Sequence, residues 1–363
     1  MANNKKIKEF VEKGVAEGVY PGAVLLIAKN GNIVFFEETG HLTLITEPVP
    51  MKKDSIFDLA SLTKPLGVTP AIMRLVEYNK IDLDQPLSEI IKTCPLKDKK
   101  GITLRQLLCH SAGFADWKPF YLDLVKHDLS IRKSLLREMI VEDELAYRPG
   151  KDCVYSDLGF MLIEWVIEEV SGTDLNYFMV RNFFEPLALK RVFFNTGILP
   201  RPFKKDDIVA TEDCAWRKRM IQGETDDENG YSLGGYSGHA GLFGAAEEIF
   251  IVVNMLREHF LGKRGDYFKP ETVREFFKRQ GVVRGCTWAL GWDTPSSQGS
   301  SSGRYFSSKS VGHLGFTGTS IWMDLDKDIV IIFLTNRVHP TRDNQKIKIF
   351  RPALHDTVME EIC

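Results

Sequence analysis

Ser61 and Lys64 stand three residues apart in Ala60-Ser61-Leu62-Thr63-Lys64, the spacing of one helical turn. A serine hydroxyl is a poor nucleophile at neutral pH. A neutral lysine one turn away takes its proton and leaves an oxygen able to attack a carbonyl carbon. The chemistry of such a pair is acyl transfer through a covalent serine ester. The tetrapeptide alone is common, and a chain of 363 residues holds about one or two by chance. Ser130-Ile131-Arg132-Lys133 is a second copy, in a charged helical segment that reads as solvated surface. Context has to separate the two.

Two other segments offer what the pair lacks. Tyr155-Ser156-Asp157 follows Arg148-Pro149-Gly150 and precedes a long amphipathic stretch. A tyrosine serves as a general base where positive charge lowers its pKa, and the carboxylate two residues on can hold a lysine. Ser156 or Asp157 equally suits a plain helix N-cap. Gly312-His313-Leu314-Gly315-Phe316-Thr317-Gly318-Thr319 leads into an apolar strand. Glycines in a strand mark close approach of a ligand or another backbone, and a free edge N–H is a ready oxyanion donor; a glycine-rich strand lead-in is the blander alternative. His239, in Gly238-His239-Ala240-Gly241, reads as a turn histidine bonded to backbone, and His110 as a helix-end residue. Neither has a carboxylate or cysteine spacing that suggests a metal, and no cofactor is expected.

The order and spacing of S-x-x-K near 60, Y-S-D near 155 and H-x-G near 313 resemble the penicillin-recognising serine hydrolases, specifically the class C β-lactamase-like group. Leu104–Gly113, Arg148–Gly159, Gly238–Phe243 and Thr317–Pro340 are similar to that group as well, so the resemblance runs from about Val19 to the C-terminus. It implies Ser61 as the acylated nucleophile, Lys64 as its proton acceptor or electrostatic partner, and Tyr155 as the acid/base. The backbone N–H groups of Ser61 and Phe316 would form the oxyanion hole, with Asp157, His313 and Gly315 in support. Asp157 stands where the group usually has asparagine; a carboxylate there favours a charged Lys64 and makes Tyr155 the better base. His313 takes the place of the lysine of K-T-G, Leu314 that of its threonine, and Phe316 that of a small or hydroxyl residue. These changes remove donors and add apolar surface, and the lysine charge is gone unless His313 is protonated. Leu314, Thr317 and Arg337 are the implied substrate contacts, Arg337 as a carboxylate clamp. The expectation is a β-lactamase-like carboxylesterase acting on a small-molecule ester, amide or β-lactam. The alternatives are a β-lactamase or D-stereospecific peptidase, and a receptor that acylates once and deacylates slowly.

The elements that must position these residues follow from periodicity. Gly22–Lys29 and Asn32–Glu37 read as strands joined by Asn30-Gly31, a hairpin turn signal. Ser320–Asp324 and Ile329–Thr335 read as a second hairpin, followed by a helix-like tail from about Gln345 to Glu361. Between them Ala71–Tyr78, Ile131–Ile140, Leu158–Val170 and Ala246–His259 carry apolar residues at helical spacing. The fold class is α+β: an antiparallel sheet built from both termini and flanked by helices, with an inserted, mostly helical domain, as the resemblance to the β-lactamase/transpeptidase-like fold also implies. The expected division is 1–60 with 245–363 for the sheet and 61–244 for the insert, the site lying between them. Pro65 conflicts locally, since a residue before proline is pushed from helical geometry; we expect Ser61 at a helix N-terminus with Pro65 in the first turn.

A net charge of −2 leaves no electrostatic footprint for nucleic acid. No apolar run is long enough for a membrane span, and Met1-Ala2-Asn3-Asn4-Lys5-Lys6 lacks the apolar core of a signal peptide. Six cysteines without metal-type spacing read as scattered free thiols. A cytoplasmic protein is the expectation.

Overall fold

The computed structural model describes residues 4–45, 47–198, 200 and 202–363; the reading of Met1–Asn3 lies outside them. β1 (Gly22–Lys29) and β2 (Asn32–Thr43) form the N-terminal hairpin, and β3 (Val49–Pro50) extends it. Asn30 and Gly31 both have positive φ, 53° and 79°, as the tight turn requires. β4 (Phe57–Asp58), β5 (Val192–Phe194), a small ribbon of β6 (Asp213–Cys214) and β7 (Arg219–Met220), and β8 (Leu242–Gly244) follow. The chain returns through β9 (Val311–Leu314), β10 (Ser320–Asp324) and β11 (Ile329–Thr335).

β1 pairs antiparallel with β11, Ala23 opposite Thr335 and Lys29 opposite Ile329, so the two terminal hairpins join into one six-stranded sheet of order β3-β2-β1-β11-β10-β9. Both faces of its centre are covered, which is why β1 and β11 read as unbroken apolar runs rather than alternating ones. Ala23, Leu25, Ile27, Ile331 and Phe333 pack under the two terminal helices, Asn4–Ala16 and Ile347–Ile362. Val24, Leu26, Val330 and Ile332 face the main core with the helices Thr69–Glu77 and Ala246–Phe260. β4, β8 and β5 make a separate three-stranded sheet next to the start of the Ser61 segment, which periodicity did not reveal because its strands are only two or three residues long. No helix is long and apolar enough to cross a membrane among the described residues.

Two expectations fail. Cys153 and Cys286 form a disulfide across 133 residues of sequence, their Cα atoms 5.9 Å apart, so only Cys94, Cys109, Cys214 and Cys363 are free thiols; pairing through the fold leaves no trace in local spacing. Lys133, in the helix Leu129–Glu142, is not solvated surface either: its ammonium lies 2.8 Å from both Glu164 and Glu168 of the helix Asp157–Ser171. Two carboxylates hold this second S-x-x-K lysine, and its serine is exposed.

Candidate active site

The Ser61 segment is helical despite Pro65. A 3₁₀ turn, Ala60–Leu62, widens into a π turn over Lys64–Val68 and continues as the helix Thr69–Glu77. The Thr69 N–H bonds to Lys64 O, five residues back. A wide turn accommodates a proline that brings no N–H and would otherwise press its ring on the carbonyl four residues back. Ala60 enters the turn with φ +47°, a costly conformation for a residue with a Cβ. Its N–H is held by Asp58 Oδ1 at 2.8 Å.

Lys64 is fully buried. Its ammonium donates to Ser61 Oγ at 3.0 Å, Asp157 Oδ1 at 2.6 Å and the His239 carbonyl at 3.1 Å, which uses all its N–H groups. Burial works against the charged form, but Asp157 and Tyr155 outweigh it and raise the Lys64 pKa. Asp157 thus does to Lys64 what a carboxylate in that position should. The Tyr155 ring lies with its centroid 4.8 Å from Lys64 Nζ. Burial pushes the Tyr155 phenol up to about 12; Lys64 and the Ser61 hydroxyl pull it down without reversing the sign. The expectation of a tyrosine pKa lowered by positive charge is therefore corrected: desolvation wins, and Tyr155 rests as a phenol. Ser156 caps the helix Asp157–Ser171, accepting from Gly159 N at 3.4 Å. One tripeptide thus supplies a helix cap at Ser156 and a ring beside Lys64 at Tyr155.

β9 is the sheet edge beside Ser61. Thr317 Oγ1 donates to Asp58 O at 2.8 Å and Thr319 Oγ1 to Leu59 O at 3.2 Å, stitching the β9–β10 turn to the backbone just before the nucleophile. Gly315 sits in that seam: a Cβ there would lie 2.0 Å from Thr319 Oγ1 and 2.6 Å from Leu59 O. The Phe316 N–H has no intramolecular partner among the described residues, and the residue is 47% exposed and lines the crevice. His313 donates from Nδ1 to Leu314 O (2.8 Å), and burial with the charge of Lys64 lowers its pKa to about 3. It is neutral, so no cation replaces the lysine of K-T-G.

A crevice of about 670 Å³ opens over these groups. It brings together Ser61, Tyr155, Asp157, His313, Leu314, Gly315, Phe316 and Arg337, with Lys64 beneath. Thr317 is buried and occupied with Asp58, so it meets no ligand. Arg337 borders the crevice, but its guanidinium donates to the carbonyls of Phe316, Arg342 and Asn344. It clamps the Phe316 loop rather than offering a free fork to a carboxylate.

Other residues enter the site unannounced. Trp288 packs on Tyr155 and His313, ring centroids 5.6 and 5.5 Å apart, and edge-on to His110 at 4.4 Å. His110, beyond the end of the helix Leu104–Leu108, accepts from Ser156 N at 3.0 Å and so braces the Tyr155 loop. His239 is not bonded to backbone through its ring: Nε2 lies 2.7 Å from Asp227 Oδ1. The adjacency of Asp226-Asp227-Glu228 and Gly238-His239 was the available signal, but neither segment shows in sequence that it faces Lys64.

Comparisons with known proteins place the chain in a family. A family model described as Beta-lactamase matches residues 7–354. The chain is 30% identical over 362 residues to an N-acetylmuramyl-L-alanine amidase of Bacillus subtilis (strain 168), covering 92% of this chain and 81% of that protein. It is also 30% identical over 355 residues to a putative D-alanyl-D-alanine carboxypeptidase of Salmonella agona (strain SL483), covering 90% and 81%. Among solved structures it superposes on EstCE1, a hydrolase with promiscuous acyltransferase activity, with a TM-score of 0.75 at 22% identity over 98% of both chains. With a family model spanning nearly the whole chain, and the α+β architecture of that fold in place around Ser61, the protein belongs to the beta-lactamase family.

Proposed function

We propose that this protein is a serine hydrolase working through a covalent acyl-enzyme, with Ser61 as nucleophile, Lys64 as its electrostatic partner and Tyr155 as the proton carrier. The observation that carries this reading is the Lys64 ammonium, buried and anchored by Asp157 at 2.6 Å while donating to Ser61 Oγ at 3.0 Å. An ammonium in that place stabilises negative charge on the serine oxygen. Ser61 Oγ attacks the carbonyl carbon as its proton passes to the phenolate form of Tyr155, and the phenol so made hands that proton to the leaving group. Water then attacks the ester by the reverse path, and the N–H groups of Ser61 and Phe316 hold the oxyanion at each step.

Leu314, Phe316 and Trp288 give the crevice apolar walls, and His313 is neutral. Both features favour uncharged esters and amides, the carboxylesterase reading. A carboxylate-bearing substrate such as a D-alanyl amide is the second reading. It is favoured by Arg351, which borders the crevice buried, donates to Gly318 O at 3.1 Å and has no acidic partner among the described residues; the name of the Salmonella relative points the same way. A panel of short p-nitrophenyl esters, D-alanyl amides and nitrocefin decides between them. The expected order is kcat/KM highest on the esters; cephalosporin turnover well above ester turnover overturns the esterase reading. Fluorophosphonate labelling that is lost in Ser61→Ala is expected. A wild-type protein that fails to label overturns the hydrolase reading, and a burst without steady turnover identifies a sensor instead.

A further inference from the structure

We propose that Asp227 and His239 form a positioning pair for Lys64, fixing the carbonyl that takes the third hydrogen bond of its ammonium and so keeping that ammonium aimed at Ser61. The inference rests on the serine-hydrolase reading above and adds to it a pair of residues that act through Lys64.

The third acceptor of Lys64 is the His239 carbonyl, 3.1 Å from Nζ. It belongs to a tight turn in which Ser237 and Ala240 exchange backbone hydrogen bonds of 2.9 and 3.2 Å. One side of this turn is tied down by Glu164, which accepts from Ser237 Oγ at 2.7 Å and Gly238 N at 2.9 Å. The close approach needs glycine at 238, where a Cβ would fall 2.1 Å from Phe160 O. The other side runs into β8, where Asn195 N donates to Gly241 O at 2.9 Å, and the turn itself is tied there through the His239 ring. Nε2 meets Asp227 Oδ1 at 2.7 Å, and Nδ1, buried, has no partner among the described residues. Asp227 is itself immobile, since the same carboxylate accepts from Gly230 N at 2.7 Å as the N-cap of Glu228–Ser232. The path from a helix cap to the lysine is thus one ring long: Asp227, the imidazole, the His239 carbonyl, Lys64.

Charge reinforces the geometry. Burial disfavours both ionised forms, yet each outweighs it for the other. His239 holds the Asp227 carboxyl down to about 2, and Asp227 raises the His239 imidazole. Each partner therefore favours the other's ionised form, beside the Lys64–Asp157 pair. Loss of the Asp227–His239 pair leaves a buried ammonium N–H without a fixed acceptor, which costs far more than an exposed hydrogen bond, and lets the ammonium leave the Ser61 axis.

The test is the second-order rate of fluorophosphonate labelling at Ser61, with kcat and KM on a p-nitrophenyl ester, for the full chain and its variants. His239→Ala is expected to label and turn over about 100-fold more slowly, the scale of a misplaced catalytic group, with KM unchanged. His239→Gln, whose amide N–H reaches toward Asp227 as Nε2 does, is expected to recover most of that loss. Asp227→Asn keeps the oxygen that caps Gly230 and removes the charge; it is expected to lose about tenfold at an unaltered melting temperature, and it carries the test if His239→Ala does not fold. A wild-type protein that labels alongside variants that label equally fast overturns the inference and leaves the hydrolase reading standing. Loss in His239→Ala with no recovery in His239→Gln overturns it as well. A wild-type protein that does not label fails the hydrolase reading itself.

Discussion

Lys64 and Tyr155 are both protonated at rest, and each is so for a different reason: Lys64 because Asp157 outweighs its burial, Tyr155 because burial outweighs Lys64. Neither of these two groups around the serine is a standing base. Proton removal from Ser61 then draws on the Tyr155 phenolate, whose population rises tenfold per pH unit below a pKa of about 12. The expected kcat/KM on an ester of pH-stable leaving group therefore climbs from pH 7 to 10, and does not fall there from loss of the Lys64 charge. Tyr155→Phe is expected to lower kcat by about 10²- to 10⁴-fold and to flatten the profile; a Phe variant that keeps the slope assigns it to another group. Residue identity was legible here in advance, since Ser61, Lys64, Tyr155 and Asp157 meet as their order implied. The protonation of Tyr155 was not, because the sign of its shift depends on how much solvent the fold removes. Asp227 and His239 escaped for a related reason: their 2.7 Å contact closes only when two loops meet over Lys64.

The β9–β10 turn and the Ser61 turn act as one element held by two threonine hydroxyls and one glycine. Ala at 315 has nowhere to place its methyl group without parting Thr319 from Leu59. Gly315→Ala is expected to separate the Phe316 N–H from Ser61 and to cost about 10²- to 10³-fold in kcat, the cost of one oxyanion donor, while the far-ultraviolet circular dichroism stays that of the wild type. An unchanged kcat would remove Phe316 from the oxyanion hole. At this scale the sequence was clearest where periodicity is strongest. β1, β10, β11 and the long helices fall where apolar runs and helical spacing put them. The short strands β4, β5 and β8 were hidden, having too few residues to show a period. The role of Thr317 was misread for want of a partner: a hydroxyl beside an oxyanion strand looks like a ligand contact until Asp58 O is found 2.8 Å away.

Across the whole molecule, the chain's two ends build one sheet while the segment between them supplies Ser61, Lys64 and Tyr155. Cys153, two residues before Tyr155, is joined to Cys286, two residues before Trp288. The loop from Gly281 to Cys286 is otherwise largely exposed, so this bond is its main tie to the Tyr155 strap. Closing a loop of that length restricts the unfolded chain by about 4–5 kcal/mol in the entropic model. Cys153→Ser with Cys286→Ser is expected to lower the melting temperature by several degrees and to reduce kcat more than the melting curve alone explains. Equal melting of oxidised and reduced protein would remove the bond from the stability account.

Trp288 sits where the crevice wall, the phenol and two imidazoles converge. Indole emission responds to polarity and to neighbouring rings, so the site carries its own optical reporter. Formation and breakdown of the acyl-enzyme can be followed as a change in emission without a chromogenic leaving group, and Trp288→Phe supplies the blank against the other five tryptophans. Candidate substrates that release nothing coloured, the simple esters and amides proposed above, then become as easy to rank as nitrocefin.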